Sequence, residues 1–136
     1  MSLDLGLYEP LDPSIAAGVD LLIKNSLDHA AAVLAEHMEN RGLLFSRNIT
    51  HNLGAMADAA GIYKCLWRPD ENWITKARQM IAPLGIGLAD LQARPEFFAQ
   101  FNSPNGWGMY EHFVPFVQAV LNACEEHPDA DVRVSR

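Results

Sequence analysis

The sequence contains no apolar run long enough to cross a membrane and no segment typical of a signal peptide. A transmembrane helix needs roughly 20 consecutive apolar residues, and no stretch of the chain approaches that length. The beginning of the chain also has no basic segment followed by an apolar one. We therefore expect a cytoplasmic protein that makes no contact with a membrane.

Cysteine is scarce, and the two that occur are not spaced as a pair. Cys65 and Cys124 form no CxxC motif, and each falls within an apolar pattern of helical period. This placement predicts two buried, reduced thiols, as in cytoplasmic proteins.

Basic residues are outnumbered by acidic ones, 10 against 17, which gives a formal net charge of −7. Because binding to a phosphate backbone requires a basic surface, this balance argues against nucleic acid as the main partner. Hydrophobic residues make up 49% of the 136 residues, which is enough to fill one core. We predict a single domain spanning residues 1–136.

Two periodicities predict the secondary structure. Alternating apolar residues predict three short strands, at residues 2–7, 43–50 and 131–136, with Leu43, Phe45 and Ile49 on the apolar face of the second. Apolar stripes at three- and four-residue spacing predict helices within residues 14–40, 51–67, 73–93, 95–101 and 107–124. The predicted fold is α+β and predominantly helical, with four or five helices packed on a small, antiparallel, three-stranded sheet.

Three segments carry a family resemblance: Asn-Ile-Thr-His-Asn-Leu at 48–53, Asn-Gly-Trp-Gly-Met-Tyr-Glu at 105–111 and Val-Arg-Val-Ser-Arg at 132–136. Together they resemble a family of small uncharacterised bacterial and bacteriophage proteins, over residues 45–136. The resemblance implies an accessory role of phage or mobile-element origin but no activity, cofactor or site residue. Residues 14–41 are longer than the connection that the resemblance implies, so we predict a helical insertion there, with an exposed face for a partner of its own.

The first candidate site is the junction between the second strand and the helix after it. Asn48, Thr50, His51 and Asn52 place polar side chains together there. The unpaired N–H groups and the positive dipole end of a helix start would bind an anion or a carbonyl and would favour a neutral His51. The alternative is structural: Thr50 caps the helix, Asn48 and Asn52 satisfy turn amides, and His51 bonds a neighbouring strand.

The second candidate site is the segment from Asn105 to His112 at the start of the last helix, with Asn105, Trp107, Tyr110 and Glu111 as the predicted ligand-binding residues. Glycines at 106 and 108 flank the tryptophan and permit backbone geometries that other residues resist. Aromatic, carboxylate and amide groups on one loop would form the wall of a ligand pocket. The alternative is that Trp107 and Tyr110 begin the core stripe of the helix, after an ordinary turn.

Motifs that would indicate an enzyme or a metal protein are missing. The sequence has no HExxH motif, no Cys/His cluster, no GxSxG motif and no glycine-rich phosphate loop with its lysine. We predict no metal, no cofactor and no catalytic residue. A hypothesis of acid–base catalysis stays open, with His51 as base and Glu111 as its orienting partner.

These patterns favour a non-catalytic module that binds a small polar ligand or a peptide end. Its pocket would lie between the start of the helix after Thr50 and the loop at residues 105–111. The alternative is an acidic protein–protein interaction or inhibitor protein that acts on a host or competitor system, through residues 14–41. The binding hypothesis requires that two segments far apart in sequence meet across a cavity.

Overall fold

The computed structural model describes residues 1–10 and 42–136, which form an α+β fold. Its sheet consists of β1 (Ser2–Tyr8), β2 (Leu43–Thr50) and β3 (Asp131–Ser135). The strand order is β2-β1-β3, and β1 pairs antiparallel with both neighbours. The predicted fold class is thereby confirmed, including the antiparallel sheet.

Within the described ranges, five α-helices follow β2 along the chain. They are α1 (Gly54–Ala59), α2 (Tyr63–Trp67), α3 (Arg78–Ala93), α4 (Pro95–Ala99) and α5 (Tyr110–Glu126), with 3-10 turns at His51–Leu53 and Pro69–Asn72. The two longest helices, α3 and α5, pack against each other, and α5 also contacts β2. None of these helices combines the length and the apolar composition that crossing a bilayer requires.

One face of the sheet forms part of the apolar core. Leu3, Leu5 and Leu7 of β1 are fully buried, and Val132 and Val134 of β3 pack beside them. Burying a leucine side chain contributes about 2 kcal/mol, so the central strand anchors the fold. The alternation that predicted β1 and β3 is the one that the sheet uses.

The predicted faces of β2 are correct except at its first residue. The pairing with β1 shifts between Leu7 and Tyr8, so that Phe45 lies opposite Leu7 while Leu43 lies opposite Tyr8. The irregularity inserts Leu44, which packs against the core, and leaves Leu43 48% exposed. The prediction that Leu43 belongs to the apolar face is therefore wrong, because a β-bulge changes the phase of the alternation.

The single helix predicted from Thr50 to Trp67 is divided into three pieces: a 3-10 turn, α1 and α2. Gly61 lies between the two helices at φ 76°, a left-handed conformation that glycine adopts at little cost and that ends helices. The break allows close packing by α3, since a Cβ atom on Gly87 would lie 2.4 Å from Ile62 Cγ2 and 3.3 Å from the Ala60 carbonyl oxygen.

The other two long helices begin later than their stripes predict. Trp73 has a left-handed φ of 58° and is 85% exposed, so it ends the preceding 3-10 turn and α3 begins only at Arg78. The Gln79 carboxamide oxygen then accepts hydrogen bonds from the backbone N–H groups of residues 75 and 76. Similarly, Trp107 lies outside α5, which begins at Tyr110.

The predictions for residues 14–41 concern a segment outside the described residues. Its two flanks, however, lie side by side, since the backbone N–H of Glu9 donates to the carbonyl oxygen of Gly42 at 2.7 Å. Because β1 and β2 are antiparallel neighbours, residues 10 and 42, which border the part of the chain not described, lie at the same end of the sheet.

Candidate functional site

Two segments far apart in sequence meet at one open cleft of about 1090 Å³. One segment, residues 48–53, includes the end of β2, and the other, residues 105–108, precedes α5. The residues that line the cleft are Met1, Ser2, Asn48, Ile49, Thr50, His51, Asn52, Leu53, Asn105, Gly106, Trp107, Gly108 and His112. Six of the eight predicted site residues are among them, while Tyr110 and Glu111 are not.

A hydrogen bond and a close backbone contact join the two segments. The Asn52 side-chain Nδ2 donates to the carbonyl oxygen of Trp107 at 2.7 Å. Next to it, Gly108 has a φ of 116°, and a Cβ atom there would lie 2.9 Å from Asn52 Cβ and 3.5 Å from Thr50 Cγ2. Only a glycine fits at this position without displacing Asn52 in the 3-10 turn.

The loop before α5 is closed by its own amide side chains. Asn105 Oδ1 accepts from Ser103 Oγ at 2.6 Å and from the Trp107 backbone N–H at 3.0 Å. Asn102 Oδ1 accepts from the Tyr110 backbone N–H at the start of α5, at 2.6 Å. These bonds present the Trp107 side chain to solvent, 71% exposed, so the alternative in which Trp107 begins the core stripe is wrong.

His51 is held by a buried tryptophan. Its Nδ1 accepts a hydrogen bond from Trp67 Nε1 at 2.8 Å, and the Trp67 indole is 2% exposed and stacks on Tyr63. Because an indole N–H can only donate, Nδ1 carries no proton and a neutral ring has its proton on Nε2. The neutral imidazole was expected from a helix dipole, but the turn at His51–Leu53 has three residues and α1 only six. The helix dipole on which the predicted anion site depended is therefore small, and that site stays a prediction.

Thr50 has the capping role that the structural alternative gave it, whereas Asn48 bonds side chains of β1 and not the turn amides that this alternative assigned to it. Thr50 Oγ1 accepts from the Asn52 backbone N–H and caps the 3-10 turn. Asn48 Nδ2 donates to Ser2 Oγ at 2.9 Å and to Asp4 Oδ1 at 2.6 Å, across the pairing of β2 with β1. Both residues still line the cleft, where Asn48 retains its side-chain Oδ1 as an acceptor.

Tyr110 and Glu111 do not line the cleft. The Tyr110 hydroxyl donates to the carbonyl oxygen of Leu91 at 2.7 Å and docks α5 on α3. The Glu111 carboxylate is exposed and lies 3.9 Å from His112 Nε2. The hypothesis that Glu111 orients His51 as a base is not supported, because the Nδ1 atom available for such a bond already pairs with Trp67.

Two polar residues of the cleft were not predicted as site residues. Ser2 lies there because it pairs with Thr50 in the register of β1 and β2, which the sequence does not reveal. His112 follows Glu111 on the first turn of α5 and has a largely exposed side chain. The clustering of polar residues at the start of this helix was the available signal for His112.

The arrangement offers no metal cluster and no reactive thiol among the residues that the structure describes. No three His, Cys, Asp or Glu side chains lie close enough together there to hold a metal ion. Cys65 and Cys124 are free and buried, and burial raises the pKa of each thiol to about 12. Both therefore stay protonated at neutral pH and are poor nucleophiles.

Comparison of the chain with protein-family models, with curated proteins and with solved structures finds no match. The resemblance of residues 45–136 to small bacterial and bacteriophage proteins stays a prediction. The chemistry of the cleft is therefore the basis for assigning a function.

Proposed function

We propose that this protein is a non-catalytic binding module that holds a small polar ligand or a peptide end in the cleft between residues 48–53 and 105–108. The observation that carries the proposal is the Trp107 indole, 71% exposed at the wall of a cleft of about 1090 Å³. Ligand sites combine apolar and aromatic surface with a few placed polar groups. An indole on a loop closed by hydrogen bonds loses little freedom on binding.

Several polar side chains in the cleft make a structural hydrogen bond with one atom and leave another donor or acceptor unpaired. Within the described ranges, the donors without a partner include the Asn105 Nδ2 group and the Nε2 proton of a neutral His51. The side-chain oxygens of Asn48 and Asn52 are acceptors without a partner there. A ligand bound between them would exchange water for fixed hydrogen bonds of both kinds.

The proposal extends to compartment and origin. Two free, buried cysteines suit the reducing conditions of a cytoplasm. The family resemblance supports an accessory protein of phage or mobile-element origin, although analogy alone does not assign a function.

The test is a thermal-shift screen of the full chain against a library of metabolites and short peptides. We expect at least one compound to raise Tm in the unmodified protein and in Trp73→Ala, since Trp73 is exposed outside the cleft. The same compound should raise Tm much less in Trp107→Ala and His51→Ala. An equal response in all four proteins would rule out this cleft as the binding site.

A second candidate function is that of an acidic protein–protein interaction or inhibitor protein, favoured by the net charge of −7. Residues 14–41 would carry the interaction. Because Glu9 and Gly42 are hydrogen-bonded, we expect a two-residue Asn-Gly turn in place of residues 10–41 to preserve the sheet. Pull-downs from host lysate with both forms test this function, and identical sets of captured partners would count against it.

A further inference from the structure

The orientation of His51 determines which of its ring atoms a ligand can reach. Nδ1 is occupied by the Trp67 indole N–H at 2.8 Å, and that indole is buried. A proton on Nδ1 would put two N–H groups face to face and leave the buried indole donor without an acceptor. Trp67 thus selects the tautomer that is protonated on Nε2.

The Nε2 atom is at the edge of the ring away from Trp67, and His51 lines the cleft. Among the residues that the structure describes, Nε2 has no hydrogen-bond partner. The Nε2 proton is therefore a donor that the fold does not use, and a ligand atom that bonds to it must be an acceptor.

A second donor is fixed in the same way on the opposite segment. The Trp107 backbone N–H can only donate, so the Asn105 side-chain atom that it contacts must be Oδ1. Ser103 Oγ bonds to the same oxygen. The Nδ2 group is consequently left unpaired within the described chain, on a residue that lines the cleft with the exposed Trp107.

We infer that the cleft selects a carboxylate attached to a flat apolar group, with Trp67 acting as a positioning residue through His51. This inference rests on the proposed function and names its ligand class. A carboxylate supplies two acceptor oxygens, and N–H bonds to it are stronger than those to a neutral acceptor. The flat group would stack on Trp107. The net charge of −7 repels anions at long range, but salt screens that repulsion more than it screens contacts in the cleft.

Two sources of this chemistry are distinguished by two pairs of probes. Benzoate and benzamide represent a free small carboxylate and its neutral amide, whereas N-acetylphenylalanine and its amide represent a peptide end. The experiment follows the Trp107 indole and His51 ring signals by NMR at neutral pH during titration of the full chain. We expect the acid of at least one pair to bind about five-fold or more tightly than its amide.

The matched variant is Asn105→Asp, which keeps the oxygen that closes the loop and replaces the outward amide nitrogen with a second oxygen. We expect it to fold and to lose the preference for the acid. The tautomer is tested separately by ¹⁵N NMR: His51 should be protonated on Nε2 in the unmodified protein. Trp67→Phe should produce a mixture of tautomers and a reduced preference for the acid, unlike Trp73→Phe.

Several results would overturn the inference. They are a proton on Nδ1 of His51 in the unmodified protein, equal affinity for acid and amide in both pairs, or no binding of any probe. The first two results are measured on the unmodified protein. The inference can therefore still be tested if Trp67→Phe does not fold. A different outcome is that the compound whose binding is lost in Trp107→Ala is a neutral or cationic one from the metabolite screen. In that case the inference fails while the proposed function stands.

Discussion

Substitution of Gly108 by alanine tests whether the two segments of the cleft touch as the structure describes. Gly108 has a φ of 116°, and a Cβ atom there would lie 2.9 Å from Asn52 Cβ and 3.3 Å from the Asn52 carbonyl carbon. Gly106, two residues earlier, has a φ of 78° and no atom within 4 Å of a built Cβ. The two glycines are therefore both strained for alanine, but only Gly108 is crowded.

The difference between the two variants can be estimated. A left-handed backbone costs an alanine about 1–2 kcal/mol, and overpacking adds about 1–3 kcal/mol. We expect Gly106→Ala to lower the free energy of unfolding by about 1–2 kcal/mol and Gly108→Ala by about 2–5 kcal/mol. Urea denaturation with an unchanged m-value measures both.

A double-mutant cycle identifies the contact itself. Asn52→Gly removes the Cβ atom nearest to the added methyl group, so Gly108→Ala should cost less in that background than alone. It should then approach the cost of Gly106→Ala. Equal losses for Gly106→Ala and Gly108→Ala, or strictly additive losses in the cycle, would refute the close contact between the two segments.

The remaining predictions concern packing and titration. Gly85→Ala should raise the free energy of unfolding by about 0.5–1 kcal/mol, because nothing lies near a Cβ atom at this helical position. Gly87→Ala should lower the free energy of unfolding by about 1–3 kcal/mol, because its Cβ atom would crowd the turn after α1. Urea denaturation of both variants measures these opposite changes. Burial raises the pKa of Cys65 from 9.0 to about 12, so unfolding releases its proton above pH 9. The free energy of unfolding then falls by about 1.4 kcal/mol per pH unit. Cys65→Ala should make this fall with pH less steep in denaturation curves. A hydrogen bond from Arg136 lowers the pKa of Asp70, so its contribution is present above the ordinary aspartate pKa and is lost as pH falls through the lowered one. Arg136→Gln should raise the Asp70 pKa in an NMR titration and reduce the loss of stability on acidification.

Periodicity in the sequence was sufficient to predict which elements form but not where they break. The alternation of Leu3, Leu5 and Leu7 predicted a strand buried on one face, and burial in the structure follows it. The break at Gly61 was missed because apolar residues continue at helical spacing on both sides of it. The bulge in β2 was missed because one inserted residue, Leu44, is itself apolar and gives no local signal.

For the candidate site, too, the sequence predicted which segments take part but not how their atoms are paired. Runs of polar residues identified both segments of the cleft, since such residues collect where the chain leaves a regular element. Which of their atoms are free depends on partners distant in sequence: Ser2 for Asn48, Trp107 for Asn52 and Trp67 for His51. Sequence spacing carries no information on these pairings, because they depend on strand register and on how the last helix docks.

The structural and the ligand-binding interpretations of these residues are therefore compatible. Three polar side chains that line the cleft each have two polar ends, and the fold uses only one of them. Asn105 directs its oxygen into the loop, Asn48 uses its nitrogen on β1, and His51 gives Nδ1 to Trp67. The bond at one end fixes the polarity of the other, so a residue that stabilises the junction also determines whether the cleft presents a donor or an acceptor. Because these bonds are made before any ligand arrives, the pattern of donors and acceptors in the cleft is a fixed property of the folded chain.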